Sequence, residues 1–147
     1  MSRTVGVLKA TFPGERCVAI VPRSVEVLKK SEIAVMVEPA AGAEAGYTDD
    51  QYIAKGASLA SREQILAQAD ILIQFRRLGA NPVAGRADLG SLRAGPIVMG
   101  LGGPLTPVPE APDLAATGVL YFALDLIPPT PPAPRMGRLT PLAPACR

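Results

Sequence analysis

The sequence predicts an α/β fold, a three-layer sandwich around a mainly parallel sheet, followed by an extended Pro-rich tail. Short apolar, β-branched runs alternate with stretches of helical period along the first 127 residues. The runs are continuous rather than alternating, as in parallel strands covered on both faces. Seven of the chain's 16 prolines fall within residues 128–147.

The elements follow in order. Thr4–Leu8 is a first strand. Ser24 is the expected N-cap of a helix over Val25–Lys30, with Val27 in its apolar stripe and Lys29-Lys30 favouring its C-terminus. Ala34–Glu38 is the second strand. Thr48 and Gln51 have capping-box spacing before Tyr52–Lys55, and Gly56 is suited to end that helix. Ser61 and Gln64 form a second box before Ile65–Ala69. Ile71–Phe75 is the third strand, and a weaker helix is expected over Asp88–Leu92, ending near Gly95. Ile97–Leu101 is the fourth strand. A helix over Glu110–Thr117, stopped by Gly118, leads to a fifth over Val119–Leu124.

Strands alternating with helices imply βαβ units with right-handed crossovers, hence a flavodoxin- or Rossmann-like sandwich whose strand order stays open. Proline removes an amide donor and fixes φ, so the tail is expected to be extended, polyproline-like and mobile. The expected division is an α/β domain over residues 1–127 and a tail over 128–147.

A chain of 147 residues fits one ordinary domain. Hydrophobic residues make up 48% and aromatics 4%, so Ala, Val, Leu and Ile must build the core. A net charge of +2 without a long basic run argues against a nucleic-acid partner, because phosphate binding needs clustered cations. The tightest cluster, Arg76-Arg77, reads as a solvated strand end. Cys17 and Cys146 are too few for a disulfide framework and suggest a reducing compartment. The chain has no His, so neither a Cys–His nucleophile nor a His-ligated metal is available, and both cysteines read as structural or incidental. No secretory signal is visible, and no uncharged apolar run reaches the roughly 18 residues of a membrane span.

The first quarter carries the most specific signal. Val5-Gly6-Val7-Leu8 is followed by Phe12-Pro13-Gly14-Glu15-Arg16-Cys17-Val18-Ala19-Ile20-Val21-Pro22. After the helical run and second strand comes Ala41-Gly42-Ala43-Glu44-Ala45-Gly46-Tyr47-Thr48-Asp49-Asp50-Gln51-Tyr52. This block resembles the N-terminal domain shared by alanine dehydrogenases and the alpha subunit of proton-translocating nicotinamide nucleotide transhydrogenase. The resemblance covers residues 4–128 and continues in outline through 129–147. It departs from the family signature where the usual Pro-x-Glu reads Leu8-Lys9-Ala10 and the usual Thr-Pro reads Val21-Pro22.

By its residues alone, Glu15-Arg16 is a charged surface pair in the loop after the first strand. Open α/β sheets bind ligands at the carboxyl ends of strands, where this loop sits. The resemblance implies that the arginine matching Arg16 holds the substrate carboxylate in alanine dehydrogenases, a task suited to its bidentate fork. Transhydrogenases carry the same arginine without an amino-acid substrate, so Arg16 does not decide the activity. Alanine dehydrogenases have a lysine at the position of Gln74 and a histidine near Met99-Gly100-Leu101. A neutral amide replaces neither charge nor proton transfer. This disfavours an alanine- or saccharopine-type dehydrogenase and leans toward the transhydrogenase branch.

Gly100-Leu101-Gly102-Gly103-Pro104 lacks the third glycine of a G-x-G-x-x-G turn and reads as a tight turn. In both families the dinucleotide fingerprint lies in a second domain. In transhydrogenases the strand matching Leu120–Ala123 leads into a loop over the nicotinamide. Leu124–Pro128 matches its beginning, but the arginine, glutamine and aspartate positions read Pro129, Pro134 and Gly137. The serine position is Thr140, the one cofactor-binding residue the resemblance still implies. Arg16 and Gln74 are the implied substrate-side residues.

The resemblance thus implies the N-terminal fragment of a proton-translocating NAD(P) transhydrogenase alpha subunit. That enzyme moves hydride from NADH to NADP, coupled to proton movement, with NAD as cofactor. Direct transfer between two nicotinamides uses no side-chain acid or base, so no catalytic residue and no metal is expected. The chain alone is expected to be inactive. Implied partners are membrane and NADP-binding subunits and a second copy in a homodimer. The implied location is cytoplasmic, peripheral to the inner face of the plasma membrane. The alternative is a non-catalytic partner-binding module, whose Pro129–Pro132 element would dock on an aromatic groove.

Overall fold

The computed structural model describes residues 3–76, 81–103 and 111–126. Fourteen short elements alternate along it. They are β1 (Thr4–Val7), α1 (Pro22–Lys30), β2 (Ala34–Val37), a 3-10 turn (Ala43–Ala45), α2 (Asp49–Ala54), β3 (Ser58–Leu59) and α3 (Arg62–Gln68). Then follow β4 (Ile71–Arg76), α4 (Pro82–Ala87), a 3-10 turn (Asp88–Ser91), β5 (Ile97–Leu101), α5 (Ala111–Ala116), β6 (Leu120–Ala123) and a last 3-10 turn (Leu124–Leu126).

The six strands form one sheet in the order β3-β2-β1-β4-β5-β6. Every pairing is parallel. This is the Rossmann order, not the flavodoxin one, with the order reversing between β1 and β4.

Side chains at paired positions share a face, so Val5, Val7, Val35 and Val37 lie together. Val18, Val21, Val25 and Tyr52 cover them from the α1 and α2 side. Tyr52 is fully buried, and its hydroxyl donates to the Ile20 carbonyl at 2.7 Å. Burial, with smaller contributions from Tyr47 and Asp49, raises its pKa, so the phenol stays neutral and keeps its donor. On the other face Ile65, Leu66 and Ala69 of the α3 segment pack on Leu72 and Val98. Gly6 permits that approach: a Cβ there would lie 2.4 Å from Ile65 Cγ2.

Both capping boxes form. Ser61 N donates to Gln64 Oε1 at 3.0 Å and Gln64 N to Ser61 Oγ at 3.3 Å. Thr48 N donates to Gln51 Oε1 at 3.0 Å. Gly56 and Gly118 take positive φ after α2 and α5, as helix-ending residues do.

Three expectations need correction. α1 begins at Pro22 with Val21 at its N-cap; Ser24 lies inside the first turn, its amide on the Val21 carbonyl at 2.9 Å. Proline at N1 lacks only an amide that would be orphaned anyway, so it starts the helix earlier than the serine does. The helix expected over Asp88–Leu92 is a 3-10 turn over Asp88–Ser91, and α4 precedes it at Pro82–Ala87. β3 adds a sixth strand to the five expected, because a two-residue edge strand carries no periodic signal. The tail, its boundary and Cys146 lie outside the described residues. Among those residues, no helix is long and apolar enough to cross a membrane.

Candidate functional site

Where the strand order reverses, the chain leaves β1 toward α1 and leaves β4 toward the opposite face. Open α/β sheets form their ligand crevice there, at the carboxyl ends of the strands. Lys9, just past β1, is the hub. Its amide donates to Glu38 Oε2 at 2.8 Å. Its carbonyl accepts from Arg62 Nη1 at 3.2 Å and, in a long contact of 3.5 Å, from Gln74 Nε2.

Arg62 is the bracket of this end of the sheet. Nη1 contacts Glu38 Oε2 at 2.8 Å, while Nε and Nη2 grip Asp88 at 2.7 and 2.8 Å. Burial opposes its charge, but Asp88 and Glu38 more than offset that, so its pKa lies above the ordinary arginine value. One guanidinium thus joins β2, α3 and the turn after α4 to the loop after β1.

A second ion pair lies beside this bracket. Arg76, the last residue of β4, donates from Nε to Glu15 Oε2 at 2.5 Å. Its guanidinium lies 4.7 Å from the Phe12 ring centroid, within cation–π range. Asn81 Nδ2 donates to Thr11 Oγ1 at 2.8 Å.

The residues singled out from the sequence separate here. Gln74 is buried at the crevice, 1% exposed. Arg16 is exposed and has no ion pair among the described residues. Glu15 and Arg16 therefore do not act as a surface pair, because Glu15 is spent on Arg76. Thr140 lies outside the described residues, as do Pro129, Pro134 and Gly137. The reading of Arg76 as a solvated strand end is corrected: it is half-buried against Phe12 and Glu15. Sequence reasoning missed it because its partner is 61 positions away. The available signal was an arginine at the carboxyl end of a strand, where this sheet type meets its ligands.

A dinucleotide needs backbone amides turned to its pyrophosphate. After β1 no glycine precedes Gly14, and the Lys9 amide is already on Glu38. After β5 the Gly102 amide is on Asp125 Oδ2 at 2.8 Å. A Cβ at Gly102 would lie 2.2 Å from the Tyr121 hydroxyl, so that tyrosine fills the turn. A carboxylate and a phenol stand where a phosphate would need donors and room, and neither turn fits one. No cluster of three or more metal-ligating side chains occurs among the described residues. A separate open pocket of about 380 Å3 lies between α1 and α2, lined by Val21, Pro22, Tyr47 and Lys55 among others, none of them a crevice residue.

The profile of the family described as "Alanine dehydrogenase/PNT, N-terminal domain" matches residues 6–145. Over 125 residues the chain is 33% identical to an NAD(P) transhydrogenase subunit alpha of Rhodospirillum rubrum, covering 84% of this chain and 32% of that protein. The structure of transhydrogenase from Sinorhizobium meliloti is similar with a TM-score of 0.79 at 27% identity, covering 89% of this chain and 36% of that one. An L-alanine dehydrogenase shares the fold, with a TM-score of 0.73 at 20% identity over 83% of this chain and 32% of its own. The chain spans about a third of the length of the curated relatives it matches. The extent of the profile match, with the parallel sheet and its order, means that this chain belongs to the family of alanine dehydrogenase/PNT N-terminal domains.

Proposed function

We propose that the chain serves as the N-terminal portion of a proton-translocating NAD(P) transhydrogenase alpha subunit. The supporting observation is its 33% identity to the Rhodospirillum rubrum transhydrogenase alpha subunit over 84% of its length. In this reading the complete enzyme transfers hydride from NADH to NADP, coupled to proton movement. The crevice between β1 and β4 forms one wall of its NAD cleft. Arg16 and Gln74 face the reacting end of that cleft, and Thr140 contacts the cofactor.

The chain by itself is catalytically silent in this reading, because neither glycine-bearing turn fits a dinucleotide phosphate. Residues 1–127 act as the folded unit. Its partners are the membrane and NADP-binding subunits, with a second copy in the assembled enzyme. It works on the cytoplasmic side, held to the membrane only through them.

The test mixes the purified chain with those subunits and follows both association and NADH-dependent reduction of an NADP analogue. Association without reduction is expected. Reduction with only these components present would sink the silent reading, and failure to associate would sink the transhydrogenase one.

A further inference from the structure

Where the strand order reverses, the loop after β1 and the segment after β4 normally diverge and leave the crevice open. In this chain three contacts lace them together. Arg76 Nε meets Glu15 Oε2 at 2.5 Å, Arg76 stacks on Phe12 at 4.7 Å, and Asn81 donates to Thr11 at 2.8 Å. Gln74, two residues before Arg76, is 1% exposed, and Asn81 is 4% exposed.

The ion pair is asymmetric. The Glu15 side chain is 6% exposed and the Arg76 side chain 37%. The second oxygen of Glu15 is also held, accepting from the Cys17 amide at 3.1 Å. A buried carboxylate therefore sits on a guanidinium at the place where this sheet type receives a ligand.

We propose that Glu15 is an internal competitor: its carboxylate occupies Arg76 in place of an incoming oxyanion, and the strap through Phe12, Glu15, Arg76 and Thr11–Asn81 keeps the crevice closed until that exchange occurs. Guanidinium forks grip carboxylates and phosphates alike, so the ligand class is an oxyanion and the test separates the two sources. Only the crevice and its contacts enter here, so this exchange stands or falls apart from the transhydrogenase reading.

The test compares the full chain with its Glu15→Gln and Arg76→Gln variants. Glu15→Gln removes the charge but keeps an acceptor for Cys17. Amide exchange is followed over residues 11–17, and acetate and inorganic phosphate are titrated separately with NMR detection. Both variants should exchange about tenfold faster over that segment. Only Glu15→Gln should gain affinity, about tenfold, for one of the anions. Tighter acetate binding identifies a carboxylate ligand, and tighter phosphate binding a phosphoryl one.

The proposal fails if Glu15→Gln gains affinity for neither anion, or if Arg76→Gln gains as much. It also fails if Arg16→Gln, added to Glu15→Gln, removes the gain. Should Glu15→Gln not fold, Glu15→Asp shortens the reach and should show the same gain at smaller size; no gain in that variant is equally fatal.

Discussion

On the sheet face that carries Val5 and Val7, β1 and β2 are sealed while β5 and β6 are bare. Val7 and Val37 are wholly buried beneath α1 and α2. The same register row continues through Ile73 and Met99 to Phe122, which is 47% exposed, and its neighbour row ends at Leu120, 57% exposed. Crossover handedness explains the difference. From β1 to β3 the chain steps one way across the sheet, so right-handed connections put α1 and α2 on this face. From β3 to β6 it steps the other way, so α3, α4 and α5 must cross on the opposite face. Equally apolar strands thus meet different surroundings.

The sharpest way to break this comparison is a pair of truncations. Tyr52→Ala in the sealed half should cost ~4 kcal/mol in urea unfolding, because a fully buried ring and its hydrogen bond are lost. Phe122→Ala in the bare half should cost less than ~1 kcal/mol. Equal costs would mean that the face over β6 is covered in solution.

At the carboxyl end of the sealed half, Arg62→Met should cost about 2–3 kcal/mol by the same measurement. It leaves Glu38 and Asp88 facing each other without their shared cation, and the 21% exposure of the Arg62 side chain keeps the cost below that of a fully buried site. A neutral result would show that the bracket contributes nothing to closing this end.

Gly6→Ala probes the other face of the same strand. It should cost about 1–2 kcal/mol, since the added methyl meets Ile65 and Ala69 at less than contact distance. Combining it with Ile65→Val should recover part of that loss; no recovery would place the strain elsewhere.

The smallest effect lies at the amino end. Asp70 accepts from the Thr4 amide at 2.9 Å and pairs with Arg93 at 3.0 Å. The backbone hydrogen bond from Thr4 leads the causes that lower its pKa. A carboxyl depressed in the folded state contributes stability above its unfolded value, about 3.9, and loses it as pH falls through the folded value. Asp70→Asn should therefore destabilise slightly near neutrality, and the gap should close in acid. A gap that persists there would mean that the carboxylate's charge is not what matters.

The fold was legible as far as local signals reach. Continuous apolar runs gave five strands, and the Thr48–Gln51 and Ser61–Gln64 spacings located two helix starts, because capping is a contact within one turn. Pro22 overrode Ser24 through the same local physics, misjudged. β3 and α4 were missed: one is two residues long, and the other, Pro-Val-Ala-Gly-Arg-Ala, has no apolar period. At the candidate site Gln74 was found, since its strand end was visible. The Glu15–Arg76 pair was not, because opposite charges 61 positions apart look independent until the sheet closes.

By itself the sequence determined the α/β class, the alternation of elements and the family resemblance, all of which rest on residues near one another in the chain. Tertiary structure alone decided the strand order, which half of the sheet is covered, and which charges meet. Those outcomes depend on crossover handedness and on contacts between distant segments, and a parallel sheet joins each strand to partners whose positions no local pattern encodes.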